Sequence, residues 1–325
     1  KKHCSLCVRP MQKYGKTGKG TIRWFCKFCH TSSVRTRPDL TKKYTQQLFS
    51  FWTTGNQNLT EVARKKRISR ETLSRRFAKY YHQSLPPVVP ASLEGEVLVC
   101  DGIHTDGRFE VVLIVRTKKV PIFWRAALHE SSAVWLSVFS QLPRPKAIVG
   151  DGQKGMIAAI FSCWPSIPFQ RCIAHVERLV RLRISCHPTT RAGYELLGLS
   201  TGLKTIWTRR QKRRWLRAFK HWKKTYKKTI DEKTTIRLLS GRKSWRYAHG
   251  RLHSAYSLIN NSVPNLFTYV GHWDIPRTTN LVEGGINARI KELIHRHRGL
   301  TGGKKKIIAF NYLLKRRGKP TRNVT

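Results

Sequence analysis

The spacing of apolar residues changes along the chain and divides it into two parts. Between residues 41 and 82, apolar residues recur three or four positions apart, which is typical of helices. From about residue 96 they form short runs rich in β-branched and aromatic residues, which predicts buried strands. The stretch between the two parts, 84–95, contains three prolines and is predicted to be a linker.

The first part, over 39–83, has the pattern of a helix-turn-helix module. Tyr44, Leu48 and Phe51 recur at helical spacing, and Gly55 then breaks the pattern. The residues after Gly55 predict two shorter helices joined by a turn.

Capping residues mark the two shorter helices. Asn58 and Glu61 have the spacing of a capping box, and Ser69 can cap the second helix after a turn at Arg67. Arg67 stands where such turns usually carry a small residue, so an ordinary packed helical hairpin is the alternative interpretation. A recognition helix presents its first turns to base edges. The predicted DNA-contacting residues on this helix are Arg70, Ser74 and Arg75.

The second part of the chain predicts a mixed α/β sheet. Three apolar runs in succession are typical of meandering strands, and the later runs alternate with helical patterns as in βα units. The predicted strands are 97–100, 109–115, 120–127, 147–149 and 167–171, with a helix over 131–142 between the third and the fourth.

The charge of the chain indicates its class of partner. The 325 residues include 64 Lys and Arg against 17 Asp and Glu, a formal charge of +47, so we expect a polyanion such as nucleic acid to bind. Hydrophobic residues make up 40%, which is enough for packed cores and excludes a wholly disordered chain. The longest apolar run is far below the ~20 residues of a membrane span. No secretory pattern opens the chain, and because it begins with Lys1 we expect a few residues to precede it.

Four of the eight cysteines form two closely spaced pairs. Cys4 and Cys7 are separated from Cys26 and Cys29 by 18 residues, which is the spacing of a zinc ribbon. The residues between the pairs predict a hairpin. Two disulfides in a small secreted module are the alternative, which the intracellular character of the rest disfavours. Four thiolates would close the coordination of Zn²⁺, so the predicted role of this ion is structural.

Two of the few carboxylates follow predicted strands directly. Asp101 ends the run 97–100 and Asp151 ends the run 147–149, each before a glycine. Each could be a salt-bridged residue of an Asp-Gly turn. Alternatively, carboxylates at the ends of neighbouring strands are hard oxygen ligands for Mg²⁺ or Mn²⁺. Two such ions can activate a water or hydroxyl and stabilise the leaving oxygen in phosphodiester displacement.

A third ligand is expected further along the chain. Glu283 stands out because Thr279 or Asn280 can cap a helix and place this residue in its first turns. As an isolated observation, Glu283 could equally be an acid that complements the helix dipole. The other candidate acids after Asp151 are Glu177, Glu195, Asp231, Glu232, Asp274 and Glu292.

Four segments together resemble the transposases of the Mutator superfamily, in its bacterial insertion-sequence branch. The family's order of motifs is Asp, Asp, Cys-x-x-His and Glu, and all four occur here in that order. With the predicted ribbon and helix-turn-helix, the resemblance covers most of the chain. The matching segments are the strand ending in Asp101-Gly102, then Gly150-Asp-Gly-Gln-Lys154, Arg171-Cys-Ile-Ala-His-Val-Glu-Arg178 and Thr278-Thr-Asn-Leu-Val-Glu283.

The resemblance implies a ribonuclease-H-like catalytic core with Asp101, Asp151 and Glu283 as the metal-binding triad. Such an enzyme cleaves element ends by hydrolysis and joins the resulting 3′ hydroxyl to target DNA. The implied partners are the terminal inverted repeats and target DNA, held by a homodimer or a larger assembly. The expected location is the cytoplasm of a prokaryotic cell, in association with the nucleoid.

The resemblance also implies that Cys172 and His175 lie beside the triad. Three interpretations are open. The pair could be half of a zinc site completed by Cys186 and His187, it could support the floor of the active site through hydrogen bonds, or it could contact DNA near the scissile phosphate.

The 107 residues between His175 and Glu283 are too many for a simple loop. Family members carry an all-helical insertion at this position, and 186–272 fits that description. Residues 209–228 contain 11 cations and no acid, so a surface that follows phosphates is preferred to a merely solvated face. We expect Trp207, Trp215 and Trp222 to be helix core. Further predicted DNA contacts are Arg213, Arg214, Lys223, Lys224, Arg296 and Arg298.

The predicted organisation is a zinc ribbon (1–38), a helix-turn-helix module (39–83), a linker (84–95), the core (96–185 and 273–325, with a basic tail) and the helical insertion (186–272). The predicted function is a DDE-type DNA transposase. Two other classes remain: a DNA-binding regulator derived from a transposase, and a zinc-ribbon nuclease that processes RNA. The three carboxylates argue against an idle core, and the helix-turn-helix favours DNA over RNA.

Overall fold

The computed structural model describes residues 2–4, 6–34, 38–82, 87, 89–105, 110–237, 240, 242–297, 299–300 and 303–317, and for 38–40 the backbone only. Arg298, parts of the predicted linker and strand 109–115, and the end of the basic tail lie outside these residues. The chain divides into two units, Lys1–Ser84 and Leu85–Thr325, which are described separately.

The first unit begins with a small antiparallel sheet. Its strands β1 (Gln12–Lys16), β2 (Ile22–Phe25) and β3 (Ser32–Val34) pair in the order β1-β2-β3, which confirms the predicted hairpin. Every residue of β1 is exposed, so the sheet has almost no hydrophobic core. Its buried residues within the described ranges are Cys4, Met11 and Cys26, at 3%, 7% and 1% exposure. The cysteine cluster is therefore the centre of this module.

Three helices follow: α1 (Pro38–Thr54), α2 (Leu59–Lys65) and α3 (Arg70–Ala78). The predicted caps are confirmed. The Asn58 side chain accepts from the Glu61 amide at 2.9 Å, and the Asn58 amide donates to the Glu61 carboxylate at 3.1 Å. The Ser69 hydroxyl accepts from the Thr72 amide at 3.1 Å. Helix ends leave amides without partners, and these side chains satisfy them.

The predicted helix is confirmed as α1, but only one of the three residues noted for their helical spacing is buried. Leu48 is buried, but Tyr44 and Phe51 are 49% and 56% exposed. Phe49 and Trp52 are buried instead, because both pack on Phe77 of α3 with ring centroids 5.1 and 5.3 Å apart. Packing against another helix selects the face, and residue spacing within one helix does not contain that information.

The turn between α2 and α3 has a left-handed backbone at Arg67, with φ of 52°. This conformation is costly for residues other than glycine. The turn is nevertheless closed by two backbone hydrogen bonds, from Arg67 to Arg64 and from Ile68 to Ala63, both at 3.1 Å. The predicted turn position is therefore confirmed despite its bulky residue.

The second unit contains a five-stranded mixed sheet, which confirms the predicted sheet type. The strand order is β6-β5-β4-β7-β8, antiparallel from β4 to β6 and parallel from β4 to β8. This arrangement, followed by helices, is consistent with the ribonuclease-H-like core that the resemblance implies. The strands are β4 (Val97–His104), β5 (Val111–Arg116), β6 (Pro121–Ala127), β7 (Ala147–Gly150) and β8 (Phe169–Arg171).

Helices cover both faces of this sheet. Leu98 and Cys100 belong to the core beneath α4 (Ser132–Phe139) and α5 (Lys154–Cys163). Val97 and Val99 belong to the opposite core, beneath α6 (Ile173–Ile184) and the C-terminal helices. Because side chains alternate along a strand, β4 supplies both cores and is buried throughout its centre.

The prediction that Asp101 follows the end of its strand was wrong. β4 continues to His104 because β5 pairs with it beyond this point, Asp101 opposite Ile114 and His104 opposite Val111. Asp101 therefore lies inside the strand, and its side chain is on the same face of the sheet as Val99. Asp151 follows β7 directly, as predicted.

The insertion is not all-helical, which corrects that prediction. Between its helices lies a hairpin of β9 (Lys233–Arg237) and β10 (Lys243–Tyr247). β9 contains two threonines and an isoleucine, β-branched residues that favour strands. The helices are α7 (Arg191–Gly202), α8 (Arg209–Thr225), α9 (Lys227–Asp231) and α10 (Gly250–Ser262), with 3₁₀ turns at Leu203–Thr205 and Val263–Asn265.

The tryptophans of the insertion differ in burial. Trp215 and Trp222 lie in the core at 7% and 2% exposure, as predicted. The prediction was wrong for Trp207, which is 50% exposed and stacks under the Arg277 guanidinium at 3.4 Å. Trp207 precedes the N-cap of α8, so no helical turn places it among the core residues.

The chain ends in helices around the Glu283 segment. The predicted helix start is confirmed by α11 (Asn280–Val282), but a π-helical turn (Glu283–Asn287) follows before α12 (Ala288–Arg296). A regular helix was expected, and the wider turn changes the phase of everything after it. The last helix is α13 (Lys305–Arg317). Within the described ranges, no helix combines the length and the apolarity that crossing a bilayer requires.

Candidate active site

Three carboxylates from distant segments converge around one histidine. Oxygens of Asp101 and Asp151 and a ring nitrogen of His175 all lie within 4.8 Å of one another. The Glu283 carboxylate lies 3.4 Å from Nε2 of the same histidine. β4 and β7 are parallel neighbours, which brings the first two acids together, and the π-helical turn brings the third.

The loop after β7 fixes Asp151. Its carboxylate accepts a hydrogen bond from the backbone amide of Gln153 at 2.9 Å. Gly152 between them has φ of +82°, and a Cβ there would lie 2.3 Å from Nε of Arg171. The backbone conformation therefore favours glycine at this position, and a larger residue would also displace the Arg171 side chain.

Asp101 is a buried acid, at 6% exposure. Its Oδ2 accepts a hydrogen bond from Nδ2 of the Asn287 side chain at 2.8 Å. Burial raises the pKa of Asp101 to about 8, and the negative charges of Asp151 and Glu283 act in the same direction. In the described part of the chain, no Lys or Arg forms an ion pair with Asp101 or Asp151.

Glu283, in contrast, has a cationic partner. Arg178 of α6 donates to its Oε1 at 3.1 Å, and the side chain is about a quarter exposed. Glu292 on the following helix is exposed and pairs with Arg289 and Arg296. Of the two acids in this region, only Glu283 faces the other carboxylates.

Cys172 and His175 connect the sheet to the Glu283 segment. The Cys172 amide donates to Gly150 at 2.7 Å, at the end of β7. Its sulfur accepts from the Thr279 amide at 3.3 Å, and the Thr279 hydroxyl lies 3.3 Å from Nδ1 of His175. Burial lowers the pKa of His175, opposed by the charge of Glu283. These contacts favour the interpretation of the pair as support for the site floor.

The zinc interpretation of this pair finds no support. Cys186 is exposed, and neither it nor His187 belongs to a cluster of possible metal ligands among the described residues. Cys172 and His175 instead group with Glu283.

Two further polar residues at the site are absent from the sequence-based prediction. The Asn287 side chain donates a hydrogen bond to Asp101, but its side-chain oxygen Oδ1 is buried without a hydrogen-bond partner. Glu130 is half-buried, accepts from the Trp135 indole at 2.9 Å, and lies 3.0 Å from where a Cβ on Gly102 would be. Burial and the charge of Asp151 raise the pKa of Glu130. The scarcity of acids could have drawn attention to Glu130, but no sequence signal indicates Asn287.

The predicted DNA-contacting residues are on the surface where the structure describes them. Arg70, Ser74 and Arg75 are exposed on α3. Arg296 is exposed but already paired with Glu292. The exposed cations predicted on α8 are Arg213, Arg214, Lys223 and Lys224.

Comparison with known proteins gives one family. The model described as "Transposase, Mutator family" matches residues 91–298, well over half of the chain. The matched range contains the three carboxylates and the Cys172–His175 pair, and leaves the cysteine cluster and α1–α3 outside it. Comparison with curated proteins gives no match.

Because Asp101 is repelled by its neighbours, removing its charge should stabilise the metal-free core. The folded pKa of about 8 exceeds the unfolded value of about 4, so the folded state holds a proton that the unfolded state lacks between these values. Wild-type stability should therefore fall as pH rises through this window. We expect Asp101→Asn to be more stable than wild type by roughly 2–5 kcal/mol at pH 9, and by little at pH 4.

Thermal melts without added divalent metal measure this difference. Glu292→Gln is the control, because its carboxylate is exposed and paired, and it should not raise the melting temperature. An Asp101→Asn protein that melts below wild type at pH 9 would show that the carboxylates do not repel one another as described.

Proposed function

The chain belongs to the Mutator family of transposases, and from this premise we propose that it cuts element ends and joins them to target DNA with a DDE-type site of Asp101, Asp151 and Glu283. The observation that carries the proposal is the convergence of these acids around His175, two of them without a cationic partner among the described residues. Arg171 is near enough for its charge to act on Asp151 but forms no ion pair with it. In a chain of charge +47, two neighbouring acids that form no ion pair within the described ranges support a site for an external cation.

The residues present fit a divalent metal ion. All three acids offer oxygen donors, which Mg²⁺ and Mn²⁺ prefer. The side-chain carbonyl oxygen of buried Asn287, which has no hydrogen-bond partner, would add a further oxygen donor to the site. When bound, the ions would supply the positive charge that activates the attacking oxygen and stabilises the leaving oxygen. Asp101, Asp151 and Glu283 would hold them.

The remaining residues of the site hold these acids in place. Each acid accepts a hydrogen bond that orients its carboxylate. The donor is the Asn287 side chain for Asp101, the backbone amide of Gln153 for Asp151 and the Arg178 guanidinium for Glu283. Because each carboxylate is fixed by a separate element, the site is formed before DNA arrives. We propose Glu130 as a fourth carboxylate at its edge.

For the cysteine cluster we propose a structural zinc ion. The sulfur of Cys7 lies 3.4 Å from that of Cys26 and 3.6 Å from that of Cys29, and the sulfurs of Cys4 and Cys29 are 3.4 Å apart. Thiols this close around one centre suit a single tetrahedral ion. The ribbon module would then depend on the metal, because its sheet has so little core of its own.

Binding to DNA would be divided between two surfaces. We propose that the helix-turn-helix, with Arg70, Ser74 and Arg75, recognises the terminal inverted repeats, and that α8 follows phosphates without regard to sequence. Two ends have to be held together for joining, so a homodimer or larger assembly on DNA is proposed.

The two alternative functions are less well supported. A regulator with an idle core would not need three acids held in mutual repulsion. An RNA-processing nuclease does not accord with membership of a transposase family.

The triad proposal predicts that Asp101→Asn, Asp151→Asn and Glu283→Gln each abolish Mg²⁺- or Mn²⁺-dependent cleavage of element-end DNA. The rate should fall roughly a thousandfold or more, because several kcal/mol of charge stabilisation is lost. Binding of DNA should persist or strengthen, since each change removes a negative charge near phosphates. Gel assays of cleavage and affinity measure both quantities.

Glu292→Gln is the matched control for these variants, because it makes the same chemical change on the next helix and should leave cleavage intact. The triad is wrong if Glu283→Gln still cuts while Glu292→Gln does not.

The zinc proposal predicts one tightly bound zinc per chain. Replacing Cys26 with serine should release it and unfold roughly the first 35 residues while the core stays folded, because small zinc modules gain their folding free energy from the metal. Elemental analysis and limited proteolysis measure the two effects. Cys186→Ser, at an exposed cysteine outside the cluster, should change neither. Freshly purified, reduced protein without zinc contradicts the proposal.

The division of binding predicts different effects for two sets of variants. Arg70→Ala or Ser74→Ala should erode the preference for end DNA over random DNA. Replacing Arg213, Arg214, Lys223 and Lys224 together should weaken binding to both DNAs and flatten the salt dependence by roughly 0.9 for each phosphate that is no longer neutralised. Titrations at several salt concentrations measure this, and equal losses on both DNAs in both sets would remove the support for the helix-turn-helix assignment.

A further inference from the structure

The β9–β10 hairpin is a strongly basic ribbon with little protein around it. Its strands pair only with each other, in register from Lys233 opposite Tyr247 to Arg237 opposite Lys243. Residues 233–247 contain five cations and no acid. Seven of the ten strand residues are exposed. Isolated two-stranded hairpins are marginally stable in water, so this one needs other support.

The base of the ribbon is fixed to the helical insertion. The Tyr247 ring stacks on His253 of α10 with centroids 3.5 Å apart. The Ala248 amide donates to Glu232 at 2.9 Å, and the carboxylate of Glu232 lies 3.4 Å from His249. These contacts hold the two ends of the hairpin and leave the strands beyond them exposed to solvent.

One face of the ribbon combines cations with an aromatic ring. Directly opposed residues share a face and residues alternate along a strand, so Lys233, Arg237, Lys243 and Trp245 lie on the same side. Trp245 is 54% exposed, and the Lys233 ammonium lies 4.0 Å from its ring centroid. This combination is typical of a surface that contacts nucleic acid.

The cations on this face repel each other. Arg237 stands directly opposite Lys243, an arrangement that destabilises a strand pair. In the described part of the chain, none of the ribbon's cations forms an ion pair with an acid. Elsewhere in the same insertion, Glu195 pairs with Arg191. The repulsion would be relieved by an anionic partner lying along the ribbon.

We propose that the β9–β10 ribbon binds in a groove of duplex DNA, as a contact separate from α3 and α8. The major groove of DNA is about 12 Å wide and admits a two-stranded ribbon. Arg237 and Lys243, on the same face as Trp245, would contact phosphates along the groove walls, and Trp245 with Thr235 would face the bases. The proposal rests on the proposed function only in taking DNA as the substrate.

The first test removes the charges. The variant Arg237→Gln/Lys243→Gln should bind duplex DNA about tenfold more weakly, and the slope of log K against log salt should be shallower by about 2. Its melting temperature should not fall, because the change relieves the repulsion between Arg237 and Lys243. Arg191→Gln removes an exposed cation of the same insertion that is already paired, and should leave affinity and slope close to wild type.

The second test locates the DNA. A photoreactive phenylalanine analogue at Trp245 should crosslink to duplex DNA, whereas the same group at Tyr194, an exposed aromatic residue of α7, should not. Unchanged affinity and slope in the Arg237→Gln/Lys243→Gln variant together with no crosslink at Trp245 overturn the proposal. Crosslinking to single strands in preference to duplexes overturns the groove contact.

Wild-type cleavage of the same DNA separates this proposal from the proposed function. If wild type cuts but the ribbon tests fail, the ribbon proposal is wrong and the transposase assignment stands. If wild type does not cut but Trp245 crosslinks to duplex DNA, the ribbon contact stands and the catalytic proposal fails.

Discussion

Repulsion between carboxylates is the constraint that the core has to accommodate. Asp101, Asp151 and Glu283 are close enough for burial and mutual charge to raise the pKa of Asp101 to about 8. Their positions are maintained by groups from separate elements, including the Asn287 amide and the Arg178 guanidinium. Thr279 forms hydrogen bonds with both Cys172 and His175, and it thereby connects the sheet to the segment that carries Glu283. Packing and hydrogen bonds thus hold the three carboxylates together against their mutual repulsion.

The surface, in contrast, carries a large excess of positive charge. With 64 cations and 17 acids, most basic side chains have no acid available, and the long basic face of α8 and the β9–β10 ribbon are two results. The acids that are available pair with cations at particular points, as Glu177 does with Arg181 and Lys204. A duplex lying against this surface would supply the missing negative charge, and counterion release would make its binding strongly dependent on salt.

The sequence predicted those features that depend on neighbours along the chain. The cysteine spacing, the caps at Asn58 and Ser69, and Asp151 after its strand are local patterns, and the structure has each of them in place. The extension of β4 through Asp101 could not be predicted, because it depends on pairing with β5. For the same reason the buried face of α1 could not be identified from residue spacing, since packing on Phe77 of another helix selects it. Asn287 was missed because its role appears only when a distant strand lies beside it.

The π-helical turn at Glu283–Asn287 has a consequence for how the gene can change. Such a turn is equivalent to a helix with one residue inserted. A single-codon deletion within Gly284-Gly285 would restore a regular helix and rotate all later residues by about 100° relative to Glu283. Asn287 would leave Asp101, and the buried Ile290 and Leu293 would turn out of the core. Surface loops in general tolerate insertions and deletions, whereas the length of this segment is fixed by the contacts at both of its ends.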